Sequence, residues 1–311
     1  MDPITLRKFN GISSFTFSKI FDEKSTQSEV FDETCLTLIQ EIIKKRKSGL
    51  IFTYGMTNAG KTFTVVGSKE QPGILPQSLS YLYEKIQSGE NGINKFKVFC
   101  NFIEIYNEEV FDLLANDPKN AKFKKKVNIK EKDKKFFVQD PTYCEINKLQ
   151  DFNSALNKGI NKKVQCSNNI NLNSSRSHTI FKIILKTSLA DEEEITLSIV
   201  DLAGSERANR TEAQGKELQE ACKINQSLSV LGKCMEALKH NSIFLNKKIV
   251  PFRESKLSML FQEYFSGDQN IIMITNINPR KEDFEETMRA LNYSCIAKEI
   301  KKAKIVVNPI R

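Results

Sequence analysis

Apolar positions along this chain recur with two periods, and the points where the period changes outline the elements. Thr26-Gln27-Ser28-Glu29 is a capping box. Behind it Val30, Leu36, Ile39 and Ile43 make an apolar stripe, Lys44 to Lys47 suit a helix C-terminus, and Gly49 is expected to stop the helix. Leu50-Ile51-Phe52-Thr53-Tyr54 reads as a short buried strand, and the run from Lys97 to Ile105 as a second one. Two more strands, Thr179 to Lys186 and Ile195 to Val200, flank the acidic turn Asp191-Glu192-Glu193-Glu194, which predicts a hairpin. From Ala221 the residues Ile224, Leu228, Leu231, Met235 and Leu238 fall at alternating spacings of four and three, the pattern of a long helix with one core face and one free face. Ser255 to Phe265 predicts another helix, closed by Ser266-Gly267; Ile271 to Ile277 a strand; and Glu282 to Lys301 a last helix. Strands and helices alternate without a linker-like break before Lys301, so the expectation is one α/β domain over residues 1–301, with 302–311 as an appended segment.

Composition narrows the classes. The 311 residues suffice for a substantial core, and 40% hydrophobic with 27% charged residues is ordinary for a soluble globular protein. The seven cysteines are scattered, odd in number and never at metal-ligand spacing, and there are only two histidines, which argues against a zinc site and for reduced thiols. No stretch is apolar and long enough to span a membrane, and the N-terminus lacks a signal peptide's apolar core, so a soluble intracellular chain with no membrane partner is expected. The net charge of +9 points to a polyanionic partner. Much of it lies between Lys122 and Lys135, where eight lysines occupy a polar segment that reads as a loop, so charge alone does not choose that partner.

The chemistry starts at Gly55-Met56-Thr57-Asn58-Ala59-Gly60-Lys61-Thr62, which fits the phosphate-binding pattern G-x-x-x-x-G-K-(S/T). In that pattern glycines let backbone N–H groups close round phosphates, the lysine reaches the terminal phosphates and the hydroxyl meets magnesium. The strand before it and a short helix from Lys61 to Val66, ended by Gly67, give the strand–loop–helix order that such a cradle needs. Further on, the strand Ile195 to Val200 ends in Asp201, followed by Leu202-Ala203-Gly204-Ser205-Glu206-Arg207. An acid at the carboxyl end of a central strand is where an α/β nucleotide fold holds its metal, and Gly204 offers a backbone N–H to a terminal phosphate. Upstream, Asn171-Leu172-Asn173-Ser174-Ser175-Arg176-Ser177-His178 brings hydroxyls suited to magnesium and water, with Arg176 able to pair with Glu206 when both loops close.

With these three segments in order, the chain resembles the kinesin motor domain: the phosphate loop, the N-x-x-S-S-R-S-H first switch and the D-L-A-G-S-E second switch all stand intact. Ile224-Asn225-Gln226-Ser227-Leu228 and Val250-Pro251-Phe252-Arg253-Glu254-Ser255-Lys256-Leu257 are similar to the family's switch II helix and microtubule face. The resemblance runs from about Phe15 to the C-terminus, and Thr57-Asn58 with Asn209-Arg210-Thr211 look most like the cytokinetic, MKLP-like kinesins. It implies a three-layer P-loop NTPase fold with a central mixed β-sheet flanked by helices on both faces. It also implies a microtubule-stimulated ATPase of the cytoplasmic cytoskeleton that uses ATP and Mg2+.

Residue by residue, the resemblance places ATP on Gly55 to Thr62, with Lys61 on the β- and γ-phosphates and Phe63 against adenine. Thr62 and Ser175 would hold magnesium, with Asp201 in the metal's second shell. Ser174 and the Gly204 amide would sense the γ-phosphate, and Arg176 with Glu206 would form the closing salt bridge, Glu206 helping to relay a proton from the attacking water. Lys223, Lys247, Lys248, Arg253 and Lys256 would face the acidic surface of polymerised tubulin. The tail Lys302 to Pro309 resembles a neck linker latched by Asn308, implying plus-end movement, and dimerisation is not encoded in this fragment.

The chain departs from the family at its start. Kinesins normally begin with a strand carrying R-x-R-P against adenine, whereas here Phe15-Thr16-Phe17 resembles a later strand, so a central strand and half of the base pocket are expected to be missing: either the chain is truncated or divergent, or Ile4-Thr5-Leu6 belongs to a rearranged N-terminus. That departure keeps open a non-motile, weakly hydrolysing microtubule-binding module. Two other readings fare worse. A GTPase needs N-K-x-D, but Asn161-Lys162-Lys163-Val164 and Asn246-Lys247-Lys248-Ile249 lack the aspartate; a nucleic-acid-dependent ATPase needs a second recombination-like domain and base-stacking aromatics, so nucleic acid is not the expected partner.

Overall fold

The structure, a computed structural model, describes residues 13–89, 96–116, 124–166, 174–187, 194–207, 216–267, 269–298 and 300. The N-terminal segment 1–12, the triplet Asn209-Arg210-Thr211 and the tail Lys302 to Pro309 lie outside the described residues. The capping box forms in full: the Glu29 N–H donates to the Thr26 hydroxyl at 3.2 Å, and the Thr26 N–H donates to the Glu29 carboxylate at 2.7 Å. It starts α1 (Gln27–Val30), which continues through a π-helical segment, Phe31–Leu36, into α2 (Thr37–Lys45). The expected stop at Gly49 is corrected. The helix ends earlier, at Arg46, which takes a left-handed φ of 56° and closes its N–H on the Ile42 carbonyl. Its guanidinium lies 4.3 Å from the Phe96 ring centre, a cation–π contact that offsets part of the backbone cost.

Gly49 instead opens β1 (Gly49–Tyr54), buried along its whole length, followed by α3 (Lys61–Val65) and α4 (Ile74–Ser88). The chain then lays down β2 (Phe96–Tyr106) and β3 (Glu109–Asp112). The lysine-rich segment, read from sequence as a loop, proves to be strands over its described part: β4 (Lys125–Val127), β5 (Ile129–Lys132) and β6 (Lys135–Val138). β5 and β6 form a hairpin turning at Asp133 and Lys134, both at positive φ, and Phe136 is the residue it buries. β7 (Cys144–Ile146) leads to α5 (Leu149–Cys166), then β8 (His178–Thr187), β9 (Ile195–Asp201) and α6 (Lys216–Ile243). α7 (Lys256–Ser266), β10 (Asn270–Thr275) and α8 (Phe284–Lys298) complete the order.

The main sheet has eight strands in the order β10-β1-β9-β8-β2-β3-β4, with β7 also on β2. β10 and β9 run parallel to β1, while β8 pairs antiparallel with β9 as the hairpin the sequence predicts. Alternate residues feed two cores. Ile51, Phe102, Phe181 and Ile199 point to the side covered by α2, α4 and α5; Leu50, Phe52, Ile103, Ile180 and Val200 point to the side covered by α6, α7 and α8. The three layers follow from this period-two alternation in strands that are buried on both faces.

Two close approaches fix the helices. Gly159 lets α5 lie against β2, since a Cβ there would stand 2.1 Å from the Phe102 ring. On the other face the Phe52 and Phe261 rings sit 5.5 Å apart, and Tyr54 stacks on Tyr293 at 4.2 Å, whose hydroxyl donates to the Leu228 carbonyl of α6. Phe261 is 1% exposed. Replacing it with alanine opens a cavity beneath α7 and is expected to cost about 3–5 kcal/mol in denaturant unfolding; a loss below about 1 kcal/mol would contradict this packing.

Candidate active site

β1, β9 and β10 run parallel and end together, and the residues that follow them build the site. Brought to the same ends of parallel strands, their loops form the crevice in which open α/β sheets bind ligands. The loop after β1 turns sharply at Gly55, whose φ is 146° and whose Cβ, were it present, would lie 2.1 Å from the Asn276 carbonyl oxygen. Asn276, just past β10, donates its N–H to the Tyr54 carbonyl at 2.8 Å and its amide to the Thr64 hydroxyl at 2.9 Å, so it braces the loop from below. Sequence reasoning missed this residue, which the expected strand Ile271 to Ile277 absorbed; the strand ends at Thr275 and leaves Asn276 at the site.

Lys61 is buried, and its ammonium donates to the Met56 carbonyl at 2.7 Å, folded over its own loop. Burial lowers its pKa, while the carboxylates of Asp201 and Glu206 act in the opposite direction. The Thr62 hydroxyl donates to Asp201 Oδ2 at 2.6 Å, and Asp201 is itself buried at the end of β9. This hydroxyl–carboxylate pair fits a magnesium site. A magnesium held this way takes one or two protein groups and completes its shell with substrate phosphates and water. The Phe63 ring is 49% exposed beside the loop, and its carbonyl accepts from the Gln27 amide at 2.7 Å.

The two other loops meet the first. The Gly204 N–H, read from sequence as bare, donates to the Ser175 carbonyl at 2.8 Å, and the Ser205 N–H donates to the Gly55 carbonyl at 3.1 Å. Ser174, Ser175 and Arg176 form a single 3-10 turn before β8. Arg176 and Glu206 are not paired here. Glu206 lies over the phosphate loop, accepting the Thr57 N–H at 2.8 Å and the Thr57 hydroxyl. Arg176 instead meets Glu220 of α6 at 3.4 Å, and Glu220 also accepts the Tyr106 hydroxyl at 2.5 Å. Burial and then this bond push the Tyr106 pKa up to about 12.

His178 joins these loops to α6. Its Nδ1 accepts the Ala203 N–H at 3.0 Å, which puts the ring proton on Nε2, 2.8 Å from the Ser227 hydroxyl; that hydroxyl donates onward to the Ile224 carbonyl at 2.7 Å. Ser227 was singled out in sequence only as part of a motif, and nothing in one dimension pairs it with a histidine far upstream.

The cations expected to face a partner lie around α6 and α7. Lys223 and Lys248 are exposed. Lys247 is used internally, donating to the carbonyls of Asn241 and Phe244. Arg253 is tied to Glu131 of the β5–β6 hairpin at 2.7 Å and lies over Phe136, while the Lys256 N–H donates to Glu108 at 2.8 Å. That hairpin adds Lys130, Lys132, Lys134 and Lys135, all exposed, beside Arg253, a contribution that the loop reading of the segment hid. The two N-K-x strings of the GTPase reading are placed elsewhere: Lys162 donates to the Ala115 carbonyl from within α5, and Asn246 to Ile249 follow α6.

A glycine loop at the ends of parallel strands, a buried lysine folded onto it and a strand-end aspartate facing its threonine define a phosphate-loop NTPase fold. The kinesin motor domain model matches residues 4–300, and the chain belongs to the kinesin family, a family of microtubule-based motors. The match begins ahead of Phe15, where the resemblance was expected to start. The chain is 31% identical to Kinesin-like protein KIF23 of Mus musculus over 94% of its own length and 39% of that protein, and 38% identical to Kinesin-like protein KIF13B of Homo sapiens over 82% and 14%. It therefore spans well under half the length of these relatives. Among solved structures, a KIF14[391-772] dimer in a two-heads-bound state, with AMP-PNP and in complex with a microtubule, superposes with a TM-score of 0.82 at 28% identity, covering 94% of this chain and 84% of that one.

The His178 bridge generates a pH prediction. Burial first, then the charges of Lys163 and Lys61, lower its pKa from 6.5 to about 3. The unfolded chain thus binds this proton at a higher pH than the folded one, so the stabilisation is complete above about pH 6.5 and is lost as pH falls, by at most about 1.4 kcal/mol per unit. Denaturant unfolding between about pH 7 and pH 5 is expected to show a shallower loss of stability in His178→Asn than in the parent chain. Parallel slopes would place the proton-linked loss elsewhere.

Proposed function

We propose that this chain binds ATP with Mg2+, hydrolyses it, and couples the nucleotide state to microtubule binding and movement. One observation carries the reading: contact is continuous from the phosphate loop through both neighbouring loops to α6, by way of Thr57–Glu206, Ser175–Gly204 and Ala203–His178–Ser227. A change at the phosphate is thereby passed to the helix that carries the partner surface. The KIF14 neighbour, solved with AMP-PNP on a microtubule, supports the same pairing of ligand and partner.

On this reading Gly55 to Thr62 wrap the phosphates, Lys61 exchanges the Met56 carbonyl for β- and γ-phosphate oxygens, and Phe63 stacks on adenine. Thr62 and Ser175 would hold the magnesium, with Asp201 in its second shell. Bound there, the metal would supply positive charge against the phosphate oxygens. Ser174 and the Gly204 amide meet the γ-phosphate, the amide leaving the Ser175 carbonyl to do so. Glu206 leaves Thr57 and Arg176 leaves Glu220, and their pairing closes the site and orients water, with Glu206 accepting its proton. Catalysis here is chiefly positioning and charge stabilisation. Lys223, Lys248, Arg253 and Lys256 provide cations toward the microtubule. Movement is toward plus ends, and the protein resides on the cytoplasmic microtubule cytoskeleton.

Steady-state ATP hydrolysis at low salt, with and without taxol-stabilised microtubules, tests this. Microtubules are expected to stimulate turnover, and Lys61→Ala to lower it at least about a hundredfold. Absent turnover with nucleotide-insensitive co-sedimentation would leave a non-motile binding module instead. Glu220→Gln weakens the parked contact of Arg176, worth on the order of 1 kcal/mol, and is expected to raise microtubule-free turnover about fivefold in single-turnover assays. Minus-end gliding of polarity-marked microtubules would overturn the direction alone.

A further inference from the structure

Asn276 lies against both hinges of the phosphate loop. Gly55 opens that loop at a φ of 146° and Gly60 comes near its end at 99°, both in the region that favours glycine. With no Cβ to restrain them, these are the positions where the loop is freest to change shape. The main chain of Asn276 holds the first hinge. Its N–H donates to the Tyr54 carbonyl at 2.8 Å, and its carbonyl oxygen sits 2.1 Å from where a Gly55 Cβ would stand. Its side chain holds the second. The amide nitrogen is 3.7 Å from where a Gly60 Cβ would stand and donates to the Thr64 hydroxyl at 2.9 Å. Thr64 donates its own N–H to the Gly60 carbonyl at 2.8 Å, so the amide reaches the hinge through a single residue.

The other end of the same side chain is left over. Asn276 Oδ1 is buried and has no hydrogen-bond partner among the described residues. An unpaired buried acceptor opposes folding, so stability does not account for an amide at this place. A polar group kept under that penalty marks a demand other than packing. We propose that Asn276 is a positioning residue for nucleotide binding: its amide bond to Thr64 holds the Gly60 end of the empty loop in the shape that phosphates fit. This rests on the ATP reading proposed above. A loop set before the ligand arrives binds without the entropy loss of ordering its glycines, so affinity rises. The amide touches no reacting atom, and the loop it holds serves bound substrate and transition state alike. Its effect therefore falls on the dissociation constant and KM and leaves kcat in place.

The test compares Asn276→Ala, Thr64→Val and the double variant with the parent chain, all at full length. Binding is read by titration with the fluorescent analogue mant-ATP and turnover by steady-state hydrolysis at saturating microtubules. Each single variant is expected to bind about tenfold more weakly and to show a KM raised to match, with kcat within about twofold of the parent. The double variant is expected to be no weaker than either single one, since both changes remove the same bond. Denaturant unfolding of Asn276→Ala is expected to keep the parent's midpoint, because the substitution also removes the unpaired acceptor. Equal mant-ATP affinity in Asn276→Ala and the parent overturns the positioning role while leaving ATP binding in place. Weaker binding accompanied by a lower unfolding midpoint, or losses that add in the double variant, reduces Asn276 to a structural contact and overturns the proposal. A fall in kcat with KM unchanged assigns the residue to the chemical step and likewise overturns it. A parent chain that binds no mant-ATP overturns the ATP reading, and this inference with it.

Discussion

His178 holds one buried hydrogen bond on each side, and it does so only as a neutral ring. The nitrogen that accepts the Ala203 N–H fixes the proton on the other, which faces Ser227, and the Ser227 hydroxyl donates in turn to the Ile224 carbonyl. Three segments that meet nowhere in sequence are thus locked by a directional chain: the loop after β9, the start of β8 and the middle of α6. Each link is buried, so a broken one leaves an unpaired polar group at a cost of about 1–3 kcal/mol. The position of the loop after β9 and that of α6 are therefore tied by a hydrogen-bond constraint.

Around this bridge the charges are stored in exchangeable pairs. Glu206 rests on Thr57 and Arg176 on Glu220, each with a hydrogen-bonded alternative to the pair they would make with one another. Lys61 and Lys163 are both lowered by burial, and Asp201 acts against that lowering for each of them. A site whose cations and carboxylates already have internal partners is stable without a ligand, and an incoming phosphate must compete with those partners. That competition is a means of making loop position depend on the occupant.

Local signals were legible where a short-range rule acts alone. The capping box at Thr26 to Glu29, the fully buried β1, the hairpin of β8 and β9 and the three-and-four spacing of α6 all formed as the sequence predicts. They depend on contacts a few residues apart or on burial of a continuous apolar run. α5 was not evident, because it is polar and carries Gly159 at mid-helix, a residue explained only by the Phe102 ring of β2 pressing against it. α4 was overlooked although Leu75, Leu79 and Leu82 have helical spacing, with Gly89 as its left-handed cap. The β5–β6 hairpin looked like a solvated loop, since only Phe136 is fully buried and lysines dominate the rest.

The sequence by itself determined the phosphate loop, the two loops that accompany it and the family, because each is a contiguous string whose backbone or side-chain chemistry needs those residues in that order. Tertiary structure alone decided which partners the charged residues take. Arg176 on Glu220, Glu206 on Thr57, Arg253 on Glu131 and Lys247 on its own helix end are choices among nearby groups. Distance and burial set the strength of each, and both quantities exist only once the sheet has brought the strand ends together.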